Sequence, residues 1–158
     1  VLSPPKQNRR QKEAKMQACY RELHRYKYQL VKEYTIQTDL KPVKSIKRKL
    51  ARFLSLSPEG VLSIGEHYAW DGPSGPTIDT KDFMRGSLVH DALYQLMRES
   101  ILDHKRHRKR ADEILREICR QDGMCAVRAW YVYHALRLFA GSCARPGKEK
   151  ETDIICVP

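Results

Sequence analysis

"SLVHDALYQLMR", Ser87 to Arg98, places a histidine and an aspartate side by side inside an otherwise apolar helical pattern. His90, Leu93, Tyr94 and Met97 fall at i, i+3, i+4 and i+7, so they share one stripe of a helix. His90 therefore points where apolar side chains point. Asp91 follows it by about 100° around the axis and faces another surface. Ionisable groups are seldom buried without partners, so this stretch predicts either a well-satisfied core histidine or a helix that carries a reaction centre.

Working outward, "DTKDF" before the stretch offers an N-cap at Asp79 or Thr80, and the helix is expected over about Lys81 to Ser100. A second helix is expected from about His104 to Arg120, stopped by Gly123, with Ala111, Ile114, Leu115 and Ile118 as its buried stripe. A third spans about Cys125 to Phe139 and is closed by Gly141. Its residues Trp130, Tyr133, His134, Leu136 and Leu138 read as packing.

Upstream the period changes. "YKYQLVKEYTIQT", Tyr26 to Thr38, is rich in β-branched and aromatic residues and reads as a strand. "ARFLSLSPEGVLSIG", Ala51 to Gly65, holds two apolar runs around a Pro-Gly turn and reads as a hairpin. "HYAWDGPSGPTIDTKDF", His67 to Phe83, is a loop whose prolines and glycines preset the backbone. The expected fold class is α+β: a small N-terminal antiparallel meander, then a three-helix core. Residues 1–25 read as a basic N-terminal arm or amphipathic helix, 26–141 as a single domain, and 142–158 as an extended tail.

At 158 residues and 41% apolar composition the chain suits one globular domain with a sizeable core. No run approaches the roughly 18 apolar residues that span a bilayer, and a soluble chain is expected. Basic residues number 30 against 19 acidic, a net of +11, which attracts anionic surfaces. "KQNRRQKEAK" and "DHKRHRKR" hold much of this excess and read first as solvated faces, with an anionic lipid surface as the functional alternative. A nucleic-acid face is not expected, because only 8% of residues are aromatic and they follow helical patterns. Cys19, Cys119, Cys125, Cys143 and Cys156 form no CxxC pair or zinc spacing, although a Cys119–Cys125 bridge could close the short turn between helices.

Two antiparallel helices would lay the His90 stripe against that of the second helix, where Asp112 sits beside Leu115 and Cys119. An inward imidazole would then meet an inward carboxylate, the working half of a general-base device. Asp91 faces the glycine-rich loop, which carries Asp71 and carbonyls freed near Gly72. Carboxylates with loop carbonyls suit a hard cation such as calcium. Each residue has a plainer reading: His90 and Tyr94 as core, Asp71 as an Asx-turn. Their conjunction sets the chemical reading level with the structural one.

The order Trp70-Asp71-Gly72, His90-Asp91-Ala92-Leu93-Tyr94, Asp112 and "CAVRAWYVYHALRLFAG" (Cys125 to Gly141) resembles the compact bacterial and fungal branch of secreted phospholipase A2. The "YKYQL" opening, the "WDGPSGPT" loop and "SLVHDALYQLMR" are more closely similar to a family of uncharacterised phage and bacterial domains. Together the resemblances cover about residues 26 to 141. They imply a phospholipase A2-like three-helix core with His90 as general base, Asp112 as its carboxylate partner and Tyr94 bonding that aspartate. Asp71, Asp91 and the Gly72 carbonyl would be calcium ligands. Three departures stand out: Leu88–Val89 replace the doubled cysteine of the animal enzymes, Pro73 removes a loop N–H, and the step from Asp112 to the next cysteine is short.

The expected function is a calcium-assisted ester hydrolase of phospholipase A2 type, or a domain that kept the scaffold and lost turnover. The alternative is a non-catalytic binding or assembly domain of a virion or larger complex, engaging a protein partner through the N-terminal arm. A third reading, an HD-type metal phosphohydrolase, would use His67, His90, Asp91 and Asp112 as ligands.

Overall fold

The computed structural model describes residues 17–22, 27–42, 44–47, 51–72 and 80–147. Most of the basic N-terminal arm, Pro73 to Asp79 of the glycine-rich loop and residues 148–158 of the tail lie outside them. Among the described residues, six short strands precede three helices, an α+β layout.

The strands form two antiparallel sheets. One has the order β1 (Tyr20–Glu22), β2 (Tyr28–Leu30), β6 (Ala69–Trp70). The other has β3 (Tyr34–Gln37), β5 (Val61–Ile64), β4 (Leu54–Leu56). The hairpin over Leu54 to Ile64 forms as expected, with Leu56 opposite Leu62 and Leu54 opposite Ile64, all four fully buried. Gly60 closes its turn at φ 92°, and a Cβ there would stand 2.3 Å from the Thr38 carbonyl oxygen.

Two expectations need correction. The single strand over Tyr26 to Thr38 is two strands in different sheets. Unbroken alternation would carry Lys32 inward between Leu30 and Tyr34; instead the chain bends at Val31–Lys32, and Lys32 stays exposed. Tyr20–Glu22, expected at the end of an amphipathic helix or arm, forms strand β1, with Tyr20 opposite Leu30. The Tyr20 ring meets those of Tyr28 and Trp70 edge-on at 5.2 and 5.7 Å, so aromatic packing across strands outweighs local helix propensity.

The helices are α1 (Lys81–Arg98), α2 (His104–Gln121) and α3 (Ala126–Phe139). Thr80 is the N-cap residue of α1, and its hydroxyl bonds the Asp82 carboxylate rather than a backbone N–H. Asp103 caps α2 by accepting from the Lys105 N–H at 2.9 Å. The α2 terminus is a Schellman motif: Gly123 (φ 103°) donates to Arg120 O and Met124 to Cys119 O. Cys119 is a buried free thiol and Cys125 an exposed one, so the envisaged bridge does not form.

α1 and α2 pack closely because Gly86 has no side chain. A Cβ there would lie 2.7 Å from Cys119 Sγ and 3.2 Å from the Leu115 carbonyl oxygen. The α1 stripe and the α2 stripe are buried as read from the sequence. α3 departs from its reading. Ala129 and Val132 are buried, whereas Trp130 is 55% and Leu138 76% exposed. The helix is apolar on both sides, and its smaller residues fit against Phe83, Leu115 and Met124. The beginning of the expected extended tail is a 3-10 turn (Ala140–Ser142) and tight turns, with Ala144 returning to the core. No helix of the described residues is long and apolar enough to cross a membrane.

Candidate functional site

One helical turn beyond Gly86, the close approach of α1 and α2 delivers His90 to Asp112. His90 Nε2 lies 2.9 Å from Asp112 Oδ1, and the Tyr94 hydroxyl donates to the same oxygen at 2.7 Å. Asp112 is fully buried and His90 is 5% exposed. The His90 and Tyr94 rings lie against each other, with centroids 4.0 Å apart, as the i, i+4 spacing on one helix requires.

Two arginines complete the cluster. Arg137 of α3 donates to Asp112 Oδ2 at 2.9 Å. Arg108, one turn before Asp112 on α2, bonds the Tyr94 hydroxyl oxygen at 3.2 Å, and its Nε is 4.0 Å from Asp112 Oδ2. Neither was singled out from the sequence. Arg108 left a signal, its i, i+4 spacing to Asp112; Arg137, set among apolar residues of an outer helix, left none.

The electrostatics follow from these contacts. Burial pulls the Asp112 carboxyl up, but hydrogen bonds from His90, Arg137 and Tyr94 outweigh it and hold the group below its usual 3.8. Burial pulls the His90 imidazole down, and the hydrogen bond to Asp112 with the negative charges of Asp112 and Asp91 outweighs that, raising it above 6.5. Burial and the Asp112 charge push Tyr94 far above its usual range, so it stays a neutral donor. With Asp112 an acceptor only, His90 Nε2 carries the proton in the neutral ring and Nδ1 keeps a lone pair. Nδ1 faces Asp91, whose Oδ1 is 3.9 Å away, too far for a direct hydrogen bond.

Asp71 and Gly72 follow strand β6 directly. Trp70 is buried and its indole Nε1 donates to Ser87 Oγ at 3.2 Å. Ser87 and Asp91 are four residues apart on α1, so the bond docks the chain just before Asp71 on the α1 face that carries Asp91. Gly72 is buried at φ 73°, a conformation that favours glycine. Among the described residues no group of three or more His, Cys, Asp or Glu side chains is placed to hold a metal ion. His67 is exposed on the β5–β6 turn, 3.7 Å from Glu66, and both Asp112 oxygens are already bonded. The four-ligand HD-type set is therefore not assembled.

What the fold and cluster define is a helix-pair domain with a buried, arginine-braced histidine–aspartate dyad. Residues 76–136 match a family described as a protein of unknown function (DUF1353). The match takes in α1, α2 and most of α3, with His90, Asp91, Tyr94, Arg108 and Asp112, but neither Asp71, Gly72 nor Arg137. It covers less than half of the chain and supports likeness to an uncharacterised domain family. No curated protein and no solved structure matches the chain.

Proposed function

We propose that this chain is a calcium-assisted ester hydrolase of the phospholipase A2 kind. The observation that carries the reading is the 2.9 Å contact between His90 Nε2 and a fully buried Asp112. Asp112 fixes the imidazole tautomer and stabilises the imidazolium, leaving Nδ1 to take a proton from the attacking water. Asp91, 3.9 Å from Nδ1 and itself an acceptor when ionised, does not take up that lone pair. Tyr94 and Arg137 keep Asp112 ionised and in place, so they position the base rather than touch substrate.

Calcium takes six to eight oxygen ligands. Asp71, Asp91 and the Gly72 carbonyl are hard oxygen donors of the right chemistry, and water would complete the shell. When bound there, the ion supplies positive charge for the oxyanion formed on the ester carbonyl. The protein surface complements an anionic lipid interface: α3 exposes Val127, Trp130, Tyr131, Leu138 and Phe139 on a chain of net charge +11.

A fluorogenic phospholipid assay with calcium and with chelator tests the reading. Turnover is expected only with calcium, falling by at least about 10²-fold in His90→Ala. Absence of turnover in wild type, or equal turnover in the variant, removes the enzyme and favours a binding or assembly domain on the same scaffold.

A further inference from the structure

A cleft of about 240 Å³ opens where the start of α2 meets the end of α3. From α2, His104, Lys105, Arg108 and Lys109 line it; from the other side come Arg137 and, after the 3-10 turn, Arg145. No carboxylate lines it. The cleft has room for a tetrahedral oxyanion with some hydration.

The wall is built rather than merely basic. Arg108 donates through Nη2 to the carbonyl oxygens of Leu136 and Arg137 at 2.9 and 3.0 Å, and through Nε to Tyr94 at 3.2 Å. These bonds fix the guanidinium plane. Its Nη1 has no acceptor among the described residues and lies against Gly141, itself part of the cleft, where a Cβ would come within 3.1 Å. Arg137 is likewise held, by Asp112. Lys105 and Arg145 are exposed and have no ion-pair partner among the described residues. Asp112 already answers Arg137 and Glu113 lies 3.9 Å from Lys109, while Asp103, two residues before Lys105, accepts from the Lys105 N–H as the α2 N-cap. Gathered cations repel one another unless an anion joins them, and the α2 N-terminus adds its partial positive charge. The neighbouring cleft lined by Glu113, Arg116, Glu117 and Arg120 mixes both signs and selects no anion.

We infer that this cleft is a binding site for a phosphate group, held by Arg108 Nη1, Lys105 and Arg145, with Arg137 linking it to the His90–Asp112 dyad. The site goes beyond the proposed hydrolase and stands whether or not His90 turns over an ester. A phosphate of this kind is carried equally by a soluble phosphate compound and by a lipid headgroup.

Calorimetric titration with inorganic phosphate against chloride at matched ionic strength tests it, on wild type, Lys105→Glu/Arg145→Glu and the control Arg116→Glu. Vesicle sedimentation forms the second arm, with phosphatidylcholine alone against phosphatidylcholine mixed with phosphatidic acid. Saturable binding in either arm is expected, weakened at least about tenfold by the double reversal and unchanged by the control. Binding to free phosphate assigns a soluble ligand, and binding only to phosphatidic acid vesicles assigns a headgroup. Loss of turnover in His90→Ala with phosphate binding intact separates this site from the esterase reading. No binding in either arm, or equal binding by the double reversal, overturns the inference.

Discussion

Asp112 takes three hydrogen bonds while fully buried, and each partner depends on its charge. Asp112→Asn keeps the shape but swaps an acceptor for a donor facing His90, Tyr94 or Arg137. A loss of about 2–4 kcal/mol in unfolding free energy is expected, read by urea denaturation. The pH dependence has two limits. Asp112, lowered in the fold, contributes above 3.8 and loses its contribution as pH falls through its folded value. His90, raised by Asp112 and Asp91 against burial, contributes below 6.5 and loses its contribution as pH rises through its folded value. In chelator, the stability gap between wild type and His90→Gln should therefore be widest between 3.8 and 6.5 and narrow on both sides. A gap that stays the same from below 3.8 to well above 6.5 would show that the pair is not ionised as described.

At the scale of elements, the α1–α2 contact decides whether a dyad exists at all. Gly86→Ala would place a methyl group 2.7 Å from Cys119 Sγ and 3.2 Å from the Leu115 backbone oxygen, and the backbone cannot yield cheaply. A loss of about 1–3 kcal/mol is expected in thermal or denaturant unfolding. If the hydrolase reading holds, activity should fall further than stability, since His90 sits one turn away. The pairing of these helices was legible because their periods are regular: both buried stripes, the position of Asp112 and the glycine stop of α2 follow from spacing alone. α3 was not, because it is apolar on both sides and periodicity cannot choose a face. Val132 is buried while Trp130, two residues away, is not. The strands were legible as strands but not as sheets. Local pattern does not encode that β2 pairs with β6 across the whole hairpin, nor that Lys32 forces the break before β3. Arg137 shows the same limit, since its value to Asp112 comes from a packing partner more than twenty residues away.

At the scale of the whole molecule, polar ties fasten sheets to helices, and among the described residues Arg85 and Trp70 each make one. Arg85 reaches from α1 to the Tyr34 hydroxyl at 3.3 Å and to both Asp122 oxygens at 2.7 and 3.0 Å. It thereby joins β3 to the far end of α2. Trp70 fastens the other sheet through Ser87. Removing the first should act on stability alone, because Arg85 lies on the far side of Gly86 from the dyad in sequence. Removing the second should act on the loop start, since Trp70 directly precedes Asp71 and Gly72 and is tied to Ser87 on α1. Calcium titration followed by thermal unfolding separates these effects. If calcium is held by Asp71, Asp91 and the Gly72 carbonyl, it raises the stability of wild type, by about 2.7 kcal/mol when calcium is a hundredfold above its dissociation constant. Asp91→Asn should abolish the shift. Trp70→Phe, which keeps an aromatic ring but loses the indole donor, should weaken it and need more calcium for the same rise. Arg85→Met should lower the starting stability by about 2–4 kcal/mol yet show the full calcium shift. An equal shift in Asp91→Asn would place the ion elsewhere, and an unchanged titration in Trp70→Phe would mean that the tie to α1 does not set the geometry of the loop start.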